Sequence, residues 1–166
     1  MATRPRYESD ADLEREARVA DAVAEKRGYR WEKVPHHYAQ ICDVVMIDDS
    51  RGGEITCYCE VRCRKIVWGQ YPDILVSVHK WMEAWHVVNS TRTKWMFAVA
   101  TQSSIHALVL TPPTLQDPFP HLRLPNLKQT FGGRTNNPRD NADIEPVVHL
   151  PIELFKTINT NITVWE

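Results

Sequence analysis

ITCYCEVRCR, residues 55–64, alternates between two kinds of side chain. In an extended chain, successive side chains point to opposite faces. One face would carry small apolar residues, namely Ile55, Cys57, Cys59, Val61 and Cys63. The other would carry Thr56, Tyr58, Glu60, Arg62 and Arg64. The pattern predicts a strand with a core-facing side and a second side on which a carboxylate and two guanidinium groups project together.

The residues before this strand predict a helix followed by a β-hairpin. Helical spacing over 12–27 aligns Leu13, Ala17, Ala20, Val23 and Ala24, and Gly28 is placed to end the helix. Residues 41–47 form an apolar run typical of a buried strand. The aspartates and glycines of residues 48–54 then predict a turn that pairs this strand with residues 55–64.

The residues after the strand predict a second helix and further strands. The helix is expected from about Pro72, because Ile74, Val78, Trp81, Trp85 and Val88 recur at spacings of four and three. Two apolar runs, residues 95–100 and 105–110, predict strands around a polar turn. Residues 147–150 predict a last strand, and residues 151–158 a short helix or turn. Together these elements indicate an α/β fold around a mixed sheet.

Length and composition favour one domain over residues 1–166. Its core is expected at about residues 12–110, followed by an irregular Pro/Arg-rich arm at 111–146 and a C-terminal segment at 147–166. The chain is 43% hydrophobic and 25% charged, as globular proteins are, and has no apolar run long enough for a membrane span. No secretory signal is recognised at the N-terminus, so the cytoplasm is the expected compartment. The net charge of −1 decides nothing about nucleic acid.

Asp43 and Glu60 are the carboxylates that the predicted hairpin would bring together. Asp43 opens the first strand in apolar surroundings, which is costly for a charge without a compensating cation. Glu60 follows seventeen residues later on the neighbouring strand. Carboxylate oxygens are the ligands that Mg²⁺ prefers, so the hairpin predicts a divalent-metal site.

The order of a glutamate-bearing helix, then Asp43, then Glu60-Val61-Arg62 resembles the PD-(D/E)XK nuclease superfamily. The stretch from Glu60 to Lys65, followed by a tryptophan-rich helix, is similar to small phage-encoded nucleases of that superfamily. The resemblance covers about residues 12–110 and implies a restriction-endonuclease-like core with a mixed central sheet flanked by helices. It also implies a phage-related protein that acts in the host cytoplasm.

The resemblance implies hydrolysis of DNA phosphodiester bonds, as an endonuclease or an exonuclease, with Mg²⁺ or Mn²⁺. Asp43 and Glu60 would bind the metal, and many members add a glutamate from the first helix. Helical geometry places Glu16 at the edge of the core-facing stripe and Glu14 on the opposite side. Glu16 is therefore the expected third acid.

Arg62 stands where the superfamily has a lysine. Arginine stays charged at any working pH and cannot be a general base, but its planar fork suits a phosphate. Lys65 or Lys80 could supply the missing ammonium group, and Lys80 is the candidate for the catalytic site. Without such a replacement, the chain would be a catalytically inactive nuclease fold that binds nucleic acid or a protein.

Other basic and aromatic residues predict partners. Candidates for nucleic-acid contacts are Arg64, Lys65, Arg123, Arg134 and Arg139. The expected partner is DNA, and the sequence leaves open whether the substrate is duplex, branched or single-stranded DNA, or RNA. Trp81 and Trp85 follow the apolar stripe of the second helix, and they could contribute to the core or to a homodimer.

Structural interpretations stand beside the catalytic ones. Glu60 and Arg62 could form a salt bridge on a solvated sheet face. The cysteines at 42, 57, 59 and 63, with His36 or His37, could bind zinc, although small buried hydrophobic residues are the stronger interpretation. A helical face with His79, Glu83 and His86 could hold a metal or face solvent.

Overall fold

The computed structural model describes residues 9–35, 42–118, 120, 127–133, 144–160 and 162–165. Two helices are α1 (Asp10–Arg27) and α2 (Val78–Thr91). The strands are β1 (Arg30–Lys33), β2 (Val44–Asp48), β3 (Glu54–Cys63), β4 (Asp73–Ser77), β5 (Lys94–Ala100), β6 (Ile105–Leu110), β7 (Gln129–Gly133), β8 (Ile144–Pro151) and β9 (Lys156–Asn159). Short 3-10 turns occupy Asp49–Arg51 and Ile152–Leu154. Neither described helix is long and apolar enough to cross a membrane.

A six-stranded mixed sheet organises the fold, with strand order β1-β2-β3-β5-β6-β9. β3 and β5 are parallel, and the other neighbours are antiparallel. Parallel neighbours need a crossover connection, which β4 and α2 supply here. A second, antiparallel sheet has the order β4-β8-β7. The mixed α/β fold and the hairpin between β2 and β3 agree with the prediction.

Both faces of the large sheet are covered. Helix α1 packs on one face, where Val19, Ala20 and Val23 belong to the same apolar cluster as Cys57, Cys59 and Val61. On the other face, α2 and the second sheet enclose side chains that include Trp95 and Phe97. The face of β3 that carries Glu60 is therefore interior, and Glu60 is only 2% exposed. The interpretation of this face as a solvated sheet surface is wrong, because the crossover connection folds back over it.

The ends of α1 follow from local capping chemistry. The helix begins at Asp10, two residues earlier than predicted, because Ser9 and Asp12 form a reciprocal capping box. It ends where predicted, at Arg27, because Gly28 adopts the left-handed conformation with φ 70°. There the backbone N–H of Gly28 donates to the carbonyl oxygens of Ala24 and Glu25.

Gly28→Ala is expected to lower the free energy of unfolding by about 1 kcal/mol, because an L side chain is strained at positive φ. Chemical denaturation measures this change. The control is Gly132→Ala, since that glycine does not have a positive φ and an added methyl group would meet nothing within 4 Å. Equal stabilities of the two variants would contradict this account of the helix end.

The second helix begins later than predicted. The apolar run after Pro72 is strand β4, which pairs with β8, and Ser77 then caps α2 at Val78. Ile74 lies in that strand, so its agreement with the helical spacing is coincidental. Within α2, Val88 is fully buried, whereas Trp81 and Trp85 are half-buried against the same cluster.

Other corrections concern weakly patterned segments. β1 was not predicted, because its sequence Arg-Trp-Glu-Lys is mostly polar. Part of the expected irregular arm is strand β7, and β8 begins at Ile144 rather than Val147. The expected C-terminal helix or turn contains a 3-10 turn followed by β9, which pairs with β6. These strands are held by cross-strand pairing, which local sequence reveals poorly.

Candidate active site

Asp43 directly precedes β2, at the end of the ladder of hydrogen bonds between β2 and β3. The last ladder pair joins Val44 and Cys59, whereas β3 continues to Cys63. The backbone N–H of Asp43 donates to the Cys59 carbonyl at 3.1 Å, and the Asp43 carboxylate accepts from the backbone N–H of Val61 at 2.8 Å. The side chain therefore satisfies a backbone donor beyond the end of the ladder. This contact fixes the carboxylate beside Glu60.

Glu60 forms ion pairs with two cations on the interior face of β3. Its Oε1 lies 2.6 Å from Nη2 of Arg62, and its Oε2 lies 2.7 Å from Nζ of Lys80. Lys80 sits in the first turn of α2, where its backbone N–H donates to the Ser77 hydroxyl. All three charged side chains are at least three-quarters buried. Buried charges require such pairing, because leaving one unpaired is costly.

The carboxyl group of Asp43 has a raised pKa, about 7. The largest cause is burial, and the negative charge of Glu60 adds to it. Arg62 and Lys80 oppose the shift, whereas the charge of Glu16 raises the pKa further. The other four sequence-predicted residues of the catalytic set thus lie within electrostatic reach of Asp43. Two carboxylates and two cations balance in charge around Asp43, so burial is the main reason for its raised pKa.

Glu16 reaches this region from α1 and is paired with Lys33 of β1. Glu16 is buried and Glu14 exposed, as helical spacing predicted. Sequence reasoning missed Lys33. Its only signal was a cation shortly after the glycine that ends α1, and this is too common to identify a site.

The structure describes two of the five residues that were predicted to contact nucleic acid. Arg64 is half-buried just after β3, and Lys65 beside it is exposed. Arg123, Arg134 and Arg139 lie outside the described residues.

The cysteine thiols are free, and those of Cys42, Cys57 and Cys59 are buried. Burial raises the pKa of Cys42 and Cys57 to about 12, so both stay protonated at neutral pH. Cys57 and Cys59 belong to the apolar cluster under α1, whereas Cys42 belongs to the cluster on the other face of the sheet, which supports the packing interpretation. His36 and His37 lie outside the described residues, and His79 and His86 are exposed.

The carboxylate groups of Asp43 and Glu60 are of the chemical type that binds hard divalent cations. In the part of the chain that the structure describes, no three Asp, Glu, His or Cys side chains converge as metal ligands do. Glu60 is instead held by Arg62 and Lys80. Even so, two carboxylates are held next to each other, and the pKa of Asp43 is raised partly by the charge of Glu60. Carboxylate oxygens are the ligands that Mg²⁺ and Mn²⁺ prefer, and Asp43 and Glu60 would supply them.

A mixed sheet with α1 on one face and α2 on the other, and an Asp/Glu pair at the end of a hairpin, is compatible with the PD-(D/E)XK nuclease fold. Residues 2–158 match the family described as "phage putative PDDEXK endonuclease", and the chain belongs to that family. The resemblance found in the sequence is thereby confirmed. PDDEXK nucleases are hydrolases that generally use divalent metals. No curated protein and no solved structure matches the chain significantly.

Proposed function

We propose that this protein is a divalent-metal-dependent nuclease that hydrolyses phosphodiester bonds of DNA with water as the nucleophile. One observation carries the proposal: buried Glu60 is paired with Arg62 and Lys80, beside half-buried Asp43, in a chain of the PDDEXK endonuclease family. Such a concentration of buried charge is expensive to maintain for stability alone. It is typical of sites that act on a charged substrate.

Asp43 and Glu60 are the proposed ligands of Mg²⁺ or Mn²⁺. A divalent ion bound there would polarise the scissile phosphate and neutralise its developing charge. Asp43 is suited to the task because its contact with the Val61 backbone N–H fixes its orientation. Glu16 is the proposed third acid and would complete the shell or orient water.

Lys80 is the proposed replacement for the lysine that is absent at position 62. Its ammonium group contacts the same carboxylate that a lysine at position 62 would neighbour, although it comes from α2. An ammonium group can orient water and stabilise charge on the phosphate. The Ser77 cap and the position in the first turn of α2 hold the Lys80 backbone in place.

Arg62 is proposed to bind the scissile phosphate. Its guanidinium lies against Glu60 on the interior face of β3, and the fork of donors on that group matches two phosphate oxygens. Arginine cannot take up a proton from water at neutral pH, so its part is electrostatic.

The test is cleavage of labelled linear, branched and single-stranded DNA with Mg²⁺, with Mn²⁺ or with EDTA. Lys80→Met is expected to lower cleavage by about 10²- to 10³-fold, since this is the usual effect of removing one charge-stabilising or proton-handling group. Lys156→Met is the control, because Lys156 is exposed on β9. A Lys80→Met variant as active as the control would exclude the role proposed for Lys80.

The arginine at position 62 also favours a second candidate function, a catalytically inactive nuclease fold that binds DNA or a protein. The same experiment separates the two. An inactive module would cut none of the DNAs, and its DNA binding would depend on salt but not on Mg²⁺.

A further inference from the structure

Arg64 is unusual among the charged residues around the site. It is half-buried, and no hydrogen bond or ion pair joins its guanidinium to another side chain or carbonyl in the described part of the chain. Arg62, two residues earlier, is by contrast paired with Glu60 at 2.6 Å. A guanidinium carries five N–H donors, and none of the Arg64 nitrogens is among the fully buried polar atoms, so an anion can approach them from solvent.

The surroundings of Arg64 make its positive charge energetically unfavourable. Burial and the positive charge of Arg62 both lower the pKa of its guanidinium, with burial the larger cause. Two cations thus lie close together, and only one of them has a carboxylate. An anion bound at Arg64 would remove both penalties.

The backbone around Arg64 is held in place. Its N–H donates to the Ala100 carbonyl at 2.8 Å, and the N–H of Gln102 donates to the Ile66 carbonyl at 3.1 Å. These contacts join the segment after β3 to the turn between β5 and β6. β3 and β5 are parallel, so Arg64 lies at the carboxyl ends of both strands, where α/β sheets commonly bind ligands. A fixed backbone lowers the entropy cost of binding.

We propose that Arg64 forms a phosphate-binding subsite separate from the carboxylates, in which its guanidinium binds a DNA backbone phosphate adjacent to the scissile one. The guanidinium fork matches two phosphate oxygens. The subsite rests on the proposed function only in taking DNA as the source of the phosphate. It requires no metal, because the attraction is between the guanidinium and the phosphate alone.

The test uses the full chain in EDTA and measures binding of a fluorescent DNA duplex over a series of salt concentrations. Arg64→Met keeps most of the aliphatic stem and should weaken binding by about 10- to 100-fold, the usual effect of losing a charged hydrogen-bonded contact. The slope of log affinity against log salt should decrease by about one. Arg64→Lys should keep the charge and therefore most of that slope.

Thermal unfolding without DNA gives a second readout, in which the substitution should be favourable rather than unfavourable. Arg64→Met should raise the melting temperature by about 2 to 4 °C, because it removes a desolvated charge that Arg62 repels. The control is Arg51→Met, since Arg51 is exposed and paired with Glu54. That variant should change neither the melting temperature nor DNA binding appreciably.

Weaker DNA binding and a higher melting temperature of Arg64→Met would together support the subsite. This conclusion would hold even if the unsubstituted chain cuts no DNA, because that result overturns only the hydrolysis proposal. Unchanged binding of Arg64→Met in a chain that cuts DNA overturns the subsite and leaves hydrolysis standing. Absence of DNA binding by the unsubstituted chain in EDTA, or a lower melting temperature of Arg64→Met, also overturns it.

Discussion

Asp43→Asn is expected to abolish metal-dependent cleavage while leaving the fold intact. The amide oxygen of asparagine can still accept the Val61 backbone N–H, so the local geometry should survive. The negative charge proposed to bind the metal is lost. Loss of a metal contact worth several kcal/mol corresponds to a decrease of about 10³-fold or more in rate. Cleavage assays with Mg²⁺ and Mn²⁺ measure the effect.

The same substitution should stabilise the metal-free protein at neutral pH. The pKa of Asp43 is about 7 in the folded chain, whereas the ordinary pKa of an aspartate is 3.8. Between these values the folded state retains a proton that the unfolded state has released, so the unsubstituted chain loses stability as pH rises. Asp43→Asn removes this loss. The difference in unfolding free energy should be near zero at pH 4 and grow to roughly 2 to 4 kcal/mol at pH 8.

Asp12→Asn provides a control of opposite sign. Hydrogen bonds from Ser9 and Arg15 lower the pKa of Asp12 to about 2, so its ionised form stabilises the folded chain above the unfolded pKa. Asp12→Asn should therefore reduce stability at neutral pH, with no change in cleavage. Denaturant unfolding in EDTA at several pH values measures both variants. Asp43→Asn that is less stable than the unsubstituted chain at pH 8 would contradict the explanation of its raised pKa.

Glu60→Gln is expected to abolish cleavage and, in contrast, to destabilise the protein by about 3 kcal/mol. The substitution leaves the buried cations of Arg62 and Lys80 without the carboxylate that pairs with both. Asp43 can offset only part of this loss. Chemical denaturation and a cleavage assay test the two effects separately.

Two further variants test why Glu60→Gln should lose stability. Glu54→Gln is the control on the same strand, where an exposed glutamate pairs with Arg51, and it should change stability by less than about 1 kcal/mol. Combining Glu60→Gln with Lys80→Met should cost less than the sum of the separate losses, because the double variant leaves one fewer unpaired cation. Strict additivity would indicate that the Glu60–Lys80 contact contributes little.

Much of the fold could be predicted from local patterns. Helix α1, the hairpin of β2 and β3, and strands β5 and β6 follow from periodicities of 3.6 and 2 residues and from turn residues. β4 could not be separated from α2, because the apolar run after Pro72 suits a strand and a helix equally well. Pairing with β8, whose partner residues lie about seventy or more positions away, decides in favour of the strand.

The candidate site could likewise be predicted only in part from local patterns. The alternation in β3 placed Glu60 and Arg62 on one face, and helical spacing chose Glu16 over Glu14, because side-chain direction is a local property of strands and helices. The sequence identified Lys80 only as a basic residue on the next helix. Its contact with Glu60 depends on the crossover that lays α2 over the sheet.

By itself, therefore, the sequence determined the chain's secondary-structure periodicity, its family and the acids of its candidate site. Only the tertiary structure decided that the face carrying Glu60 is buried, that Lys80 and Arg62 share its carboxylate, and that the Arg64 guanidinium bonds to no group among the described residues. The physical reason is that burial and ion pairing depend on distances between segments remote in sequence. Those distances are set when the layers pack, and no local periodicity encodes them.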